Sequence, residues 1–179
     1  LLYGKVCCPS VNMSMNKCAY YSGICCNPFT DSSSVTCSLS YSSFVDNNAT
    51  ECICVYFSKG DTEYEIKCCN ILRNTQISSY SGTIRSNGNL TIEDSCILEN
   101  NANYIFSSMS PYTITLSNCT IGSTNHFGSF IIQNTITKYF ILALKHISTR
   151  FCYAEYDSTG ALTVNPELPS PSSTKKVVR

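Results

Sequence analysis

Between Leu39 and Ile121 the chain alternates apolar and polar positions in short bursts. Leu90-Thr91-Ile92 and Ile114-Thr115-Leu116 have the period-two pattern of strands with one buried face. Lys59-Gly60, Asn87-Gly88 and Ser110-Pro111 separate such bursts and supply turn chemistry. No stretch of this region repeats its apolar residues at helical spacing. The pattern predicts an all-β chain of many short strands joined by turns.

The bursts repeat. Leu39 to Phe44, Ile66 to Ile71, Ile92 to Leu98 and Leu116 to Ile121 each hold an apolar residue, then a small one (Ser42, Cys69, Cys96, Cys119), then an apolar anchor two positions on. The third stretch takes one extra residue before Cys96. The anchors Phe44, Ile71, Leu98 and Ile121 lie 27, 27 and 23 residues apart, and Asn47, Asn74 and Asn101 follow the first three at one offset. A second apolar stretch follows in each unit: Ile53 to Phe57, Thr83-Ile84, Tyr104 to Phe106 and Phe130 to Ile132. A period of this length, built only from short strand-like runs, predicts a parallel β-solenoid, because one coil cannot bury its own apolar face. Stacked coils bring equivalent residues to ~4.8 Å. Asn47, Asn74 and Asn101 are then expected to form an Asn ladder at a corner, and Ser42, Cys69, Cys96 and Cys119 a ladder of small buried residues.

Residues 1–34 hold Cys7-Cys8, Cys18 and Cys25-Cys26 and fit the template poorly, so they are expected to be an amino-terminal cap or irregular first coil. Residues 35–135 are the repeats. Residues 136–164 are read as a last degenerate coil or carboxy-terminal cap, and 165–179 as a Pro/Ser-rich tail.

Acidic and basic residues number 12 each and only 13% of the chain is charged, which disfavours nucleic acid as a partner. Ser, Thr and Asn make up 60 of the 179 residues, a mix suited to a strand-rich extracellular surface. Thirteen cysteines leave at least one unpaired within a monomer, and the redox compartment stays open. Without an initiator Met, a leader or an apolar run of 18 residues, the chain is expected to be a processed form or a fragment, with any membrane anchor outside it.

The sequence offers little for catalysis. The cysteines form adjacent pairs and one Cys52-Ile-Cys54, with no Cys-x-x-Cys, so no metal and no cofactor is expected. Neighbouring strand residues such as Cys68 and Cys69 point to opposite faces, and stacked cysteines have parallel Cβ vectors, so mostly free, buried thiols are expected in the repeats, with any bridges at the amino-terminal cap. His126 and His146 lie in no nucleophile motif. Asp46, Glu51, Asp61, Glu63, Glu65, Glu93, Asp94 and Glu99 do not recur at one offset, as a pair of glycosidic carboxylates would need to be positioned. Asn12, Asn48, Asn89 and Asn118 head Asn-x-Ser/Thr acceptors for N-glycosylation, at the frequency of about four that chance gives this composition.

Asn89 to Ala102 and Thr115 to Ile121 resemble the repeats of right-handed parallel β-helix proteins, in particular polymorphic outer-membrane-protein-like surface proteins. The likeness covers roughly residues 35–135. Phe44-Val-Asp-Asn47 matches that family's Phe-x-x-Asn motif, while Gly82-Thr-Ile84 keeps part of its Gly-Gly-Ala-Ile motif. The resemblance implies a right-handed parallel β-helix of about five or six coils with irregular caps. It also implies a non-enzymatic surface or secreted adhesion-type module, extracellular or at the cell surface. Such a module would present a polar strand face, with tyrosines such as Tyr41, Tyr56, Tyr64, Tyr80, Tyr104 and Tyr112, to carbohydrate or a partner surface protein. The alternative on the same fold is a polysaccharide lyase or glycoside hydrolase.

Overall fold

The computed structural model describes residues 6–20, 22–27, 37–50, 54–77 and 81–135, with two short strands beyond them. The chain runs through β1 (Val6–Pro9), β2 (Asn12–Ser14), β3 (Lys17–Cys18) and β4 (Ile24–Cys26). The same order returns in β5 (Cys37–Ser40), β6 (Ser43–Val45), β7 (Asn48–Ala49) and β8 (Val55–Phe57), and again in β9 (Glu63–Lys67), β10 (Asn70–Leu72), β11 (Thr75–Gln76) and β12 (Gly82–Ser86). After these come β13 (Asn89–Glu93), β14 (Cys96–Leu98) and β15 (Tyr104–Ser108), then β16 (Thr113–Ser117), β17 (Thr120–Ile121) and β18 (His126–Phe127), and finally β19 (Ser129–Gln133). β20 (Glu155–Tyr156) and β21 (Leu162–Thr163) pair antiparallel.

The first three visits each add one strand to all four sheets, the next two add to sheets 1, 2 and 4, and β19 adds to sheet 1. Sheet 1 is ordered β1-β5-β9-β13-β16-β19, sheet 2 β2-β6-β10-β14-β17, sheet 3 β3-β7-β11 and sheet 4 β4-β8-β12-β15-β18. Every pairing in these four sheets is parallel. The described residues contain no helix. The protein is therefore all-β with parallel sheets, an arrangement compatible with a parallel β-helix.

The interior consists of stacked apolar columns. Leu39, Ile66, Ile92 and Leu116 pair in sequence along sheet 1, Phe44, Ile71, Ile97 and Ile121 along sheet 2, and Val55, Ile84 and Phe106 along sheet 4, all of them buried. Each such side chain contributes about 1.5–3 kcal/mol through burial, but only when the neighbouring rungs are present to cover it.

Corners are made by left-handed residues. Ser10, Tyr41, Cys68, Asp94, Asn118 and Asn134 directly follow the strands of sheet 1, and all have φ between 47° and 57°. Met15, Asp46, Arg73 and Glu99 repeat this after sheet 2, with φ from 52° to 56°. A single αL residue turns the chain sharply without adding a loop, and Asn and Asp tolerate it best among residues with a side chain.

The register corrects the sequence alignment in one systematic way. Leu39 pairs with Ile66, 27 residues on, but Ile66 pairs with Ile92, only 26 on. The third repeat is one residue short, so its anchor is Ile97 rather than Leu98. Leu98 instead joins Val45, Leu72 and Cys96 in a small second apolar cluster. Phe130 to Ile132, expected as the second stretch of the fourth unit, belong to β19 in sheet 1, while His126 and Phe127 fill that place in sheet 4. The amino-terminal strands β1 to β4 pair into the same four sheets as the repeats. Of 136–164 only β20 and β21 are described, and the tail at 165–179 lies outside the described residues.

Candidate functional site

Sheet 1 alternates strictly between buried and outward positions in β9, β13 and β16, so its outer face carries three columns of side chains. One column runs Glu63, Asn89, Thr113 and Ser129, the next Ser38, Glu65, Thr91, Thr115 and Ile131, and the third Ser40, Lys67, Glu93, Ser117 and Gln133. Rows are ~4.8 Å apart, and columns about two strand residues apart, ~7 Å.

Hydrogen bonds run along the first column and join two residues of the third. Asn89 Nδ2 donates to Glu63 Oε1 at 3.0 Å, the Thr113 amide donates to Asn89 Oδ1 at 3.1 Å, and Thr113 Oγ1 donates to Ser129 Oγ at 3.0 Å. Lys67 Nζ meets Glu93 Oε2 at 3.1 Å, and this bond holds the ammonium pKa above its ordinary value. The result is a face of hydroxyl, amide and carboxylate groups, with exposed Ile131 at one end of the middle column, in which mutual bonds limit rotation in the first and third columns.

Below this face, the corner between sheets 1 and 2 carries a ladder of small side chains that cap backbone carbonyls. Ser42 Oγ donates to Ser40 O at 2.9 Å, Cys69 Sγ to Lys67 O at 3.3 Å, Ser95 Oγ to Glu93 O at 2.7 Å and Cys119 Sγ to Ser117 O at 3.2 Å. Ser95 therefore takes the rung expected for Cys96, which instead pairs with Asn70 and Thr120. Burial pushes the Cys69 thiol up to about 12 and the Cys119 thiol up to about 11, so both remain neutral donors.

The corner after sheet 2 is an amide ladder. Nδ2 of Asn16 donates to Asn47 Oδ1 at 3.0 Å, Nδ2 of Asn47 to Asn74 Oδ1 at 2.9 Å, and Nδ2 of Asn74 to Asn100 Oδ1 at 3.0 Å. Asn100, not Asn101, is the fourth rung. Asn101 uses its backbone, accepting from the Gln76 amide and donating to Asn74 O, both at 2.8 Å. The cause is again the 26-residue third repeat. Beside the ladder, the αL residues Asp46 and Arg73 form a two-point ion pair at 2.8 and 2.9 Å.

No family model, curated protein or solved structure matches the chain.

The other sequence candidates fall as follows. Asn12, Asn48, Asn89 and Asn118 are all exposed, but the amides of Asn89 and Asn118 are engaged with Glu63 and with Asp94 (2.6 Å), and Thr120 of the Asn118 acceptor is buried. Tyr64 stacks on Phe57 in the core, with ring centroids 4.4 Å apart, and burial pushes its hydroxyl up to about 12. Tyr41 is exposed at a corner, Tyr56 lies under Arg85 at 5.5 Å, and Tyr112 donates to Asp61 Oδ1 at 2.8 Å. Tyr104 packs against Phe127, and Tyr80 lies outside the described residues. His126 is exposed and stacked on Phe130, and His146 is outside the described residues. Glu93, Asp94, Asp46, Asp61 and Glu63 each accept from a partner already named, and Glu93, Glu65 and Asp94 all lie near enough to Lys67 to raise its pKa. No group of three His, Cys, Asp or Glu among the described residues is arranged to hold a metal.

Asn16, Ile97 and Asn100 escape a count of equal periods, yet all three carry a readable signal. Met13-x-x-Asn16, Phe44-x-x-Asn47, Ile71-x-x-Asn74 and Ile97-x-x-Asn100 share one apolar-x-x-Asn spacing. Following that local motif rather than the 27-residue period finds Asn16, Ile97 and Asn100.

Proposed function

We propose that the chain winds as a right-handed parallel β-helix of five or six coils and serves as a non-enzymatic, extracellular or cell-surface adhesion module that binds carbohydrate through the outer face of sheet 1. The observation that carries this reading is the grid of Thr91, Thr113, Thr115, Ser117, Asn89 and their neighbours on one flat face. Donor and acceptor groups at fixed spacing suit a hydroxyl-rich chain laid along the sheet. Similarity to polymorphic outer-membrane-protein-like repeats at Phe44 to Asn47 supports surface display, with an anchor supplied outside this chain.

The test is binding of the protein to an array of immobilised uncharged polysaccharides, including glucans, mannans and galactans, on which an added lysine gains no charge attraction. Retention by at least one of them, lost in the double variant Thr91→Lys, Thr115→Lys and kept in Arg73→Gln, is the expected result. Equal binding by the double variant would sink the reading. Release of unsaturated or reducing ends from polygalacturonate, with or without calcium, would replace it with the lyase or hydrolase alternative.

A further inference from the structure

At the amino-terminal end of the stack the core changes composition. In the next rung Phe57, which ends β8, and Tyr64, near the start of β9, meet face to face in the corner between sheets 4 and 1. Phe57 pairs in register with Cys26 and Tyr64 with Cys37. Two cysteines thus occupy, one rung earlier, the positions whose side chains touch as an aromatic pair. Both are buried, and neither is in the polar outward set of its strand.

The two thiols also share a wall. A cavity of about 210 Å³ is lined by Val6, Cys8, Ile24, Cys25, Cys26, Asn27 and Cys37. Thiols are smaller than the Phe57 and Tyr64 rings they replace, which accounts for space at this rung. Burial pushes the Cys26 thiol up to about 12, and the Cys37 thiol is raised as well, so both are held as neutral thiols at neutral pH and exchange at this pair is slow, quickening as pH rises. Cys8, also inward on β1, is half-buried.

We propose that Cys26 and Cys37 are a redox modification site, closing to an intramolecular disulfide on exposure to a low-molecular-weight disulfide. The Cys26 thiol loses its proton and attacks one sulfur of the small disulfide, whose second sulfur leaves as a thiolate and takes up that proton. Cys37 then gives up its proton and attacks the Cys26 sulfur of the mixed disulfide. The protein S–S bond forms, and the second small thiol departs with the Cys37 proton. Two protein thiols are oxidised and one small disulfide is reduced to two thiols. The new bond spans the ten residues 27–36 and fastens β4 to β5, the step from the first rung to the second.

The protein is incubated with oxidised or reduced glutathione, its remaining thiols are alkylated in denaturant, and peptides are mapped by mass spectrometry. The expected result is a peptide pair linked Cys26 to Cys37 only after oxidation. It should come with a melting midpoint raised by roughly 5–10 °C, the size expected for a closed loop of this length in a chain of this size. Cys8→Ser keeps the link, and Cys37→Ser abolishes it. Because mapping of the wild-type chain decides the pairing, the test stands even if Cys37→Ser does not fold. A link from either residue to Cys8, or both thiols alkylated after oxidation, overturns the proposal.

Discussion

The Asn47 backbone amide and Asn47 Nδ2 both donate to the single oxygen Oδ1 of Asn74, at 3.0 and 2.9 Å. Asn74 Nδ2 in turn donates to Phe44 O at 2.9 Å, inside a corner where both residues are 1–2% exposed. Removing the Asn74 amide takes these bonds from the buried Asn47 backbone amide and the Phe44 carbonyl, while Asn47 Nδ2 keeps its bond to Met13 O; the cost is about 1–3 kcal/mol for each group not rescued by water. Asn74→Ala should therefore destabilise by about 2–4 kcal/mol in urea unfolding. Asn101→Ala, which keeps the backbone bonds of an exposed residue, should cost about 0.5 kcal/mol or less. Equal losses would contradict the register.

The pair also shows what could be read before the fold was known. Strand class, parallel stacking and the Asn47 to Asn74 relationship follow from local alternation and one clear repeat, since a parallel in-register stack makes sequence period and spatial neighbour the same thing. The rungs at Asn100 and Ser95 did not follow, because a repeat can lose one residue at a corner without disturbing its apolar count. The anchors Ile97 and Leu98 are both apolar, and only burial on one face separates them. The outer face of sheet 1 was legible only as a composition of Ser, Thr and Asn. Its columns depend on register, which a one-residue shift would have turned inside out. The Cys26 and Cys37 pair was hidden because the first rung matches the template only through Met13 and Asn16.

Buried thiols make stability fall in alkali. Cys26 and Cys69 are raised to about 12 and Cys119 to about 11 from an ordinary value near 9, burial being the largest cause in each. Between pH 9 and 11 the unfolded chain gives up protons that the folded chain keeps. The thiol contribution is thus fully present below pH 9 and is lost as pH rises through the folded values. Each such group adds a slope of about 1.4 kcal/mol per pH unit in this window. Urea midpoints from pH 8 to 10.5 in reductant should drop accordingly, and Cys69→Ser should flatten the curve. An unchanged slope in that variant would contradict the neutral buried donor.

Met15 holds the αL corner equivalent to Asp46 and Arg73, with φ 56°, and is 76% exposed. Its side chain covers little, while its Cβ meets the usual left-handed crowding, about 1–2 kcal/mol. Met15→Asn keeps the backbone bond to Val45 O and relieves part of that cost. The variant should be more stable by up to about 1 kcal/mol, and a thermal melt that shifts downward would argue against the corner geometry.

Gly88 follows β12 where the chain passes under the preceding rung. A Cβ there would lie 2.4 Å from Thr62 O and 2.8 Å from the Tyr64 ring, and the Ser86 hydroxyl already bonds both the amide and the carbonyl of Gly88. The carbonyl is backbone and the ring is packed on Phe57, so neither yields easily. Gly88→Ala should destabilise by about 1–3 kcal/mol. Gly122→Ala, where the nearest atom is a Leu98 methyl at 3.4 Å, should cost less.

Thr91 and Thr115 are direct neighbours on adjacent strands, pointing outward between buried Leu90, Ile92, Ile114 and Leu116. Lysine at either site can project its ammonium into solvent while its stem lies on the sheet, so each single replacement should change stability by no more than about 0.5 kcal/mol. Two lysines directly opposite repel, which adds a salt-dependent loss of a few tenths of a kcal/mol. Against that small structural change, the double variant replaces the centre of the hydroxyl grid with two bulky cations. Binding to the retained polysaccharide should fall at least tenfold, and added salt should restore stability without restoring binding. Recovery of both together would mean that the loss came from repulsion within the sheet and not from the missing hydroxyls.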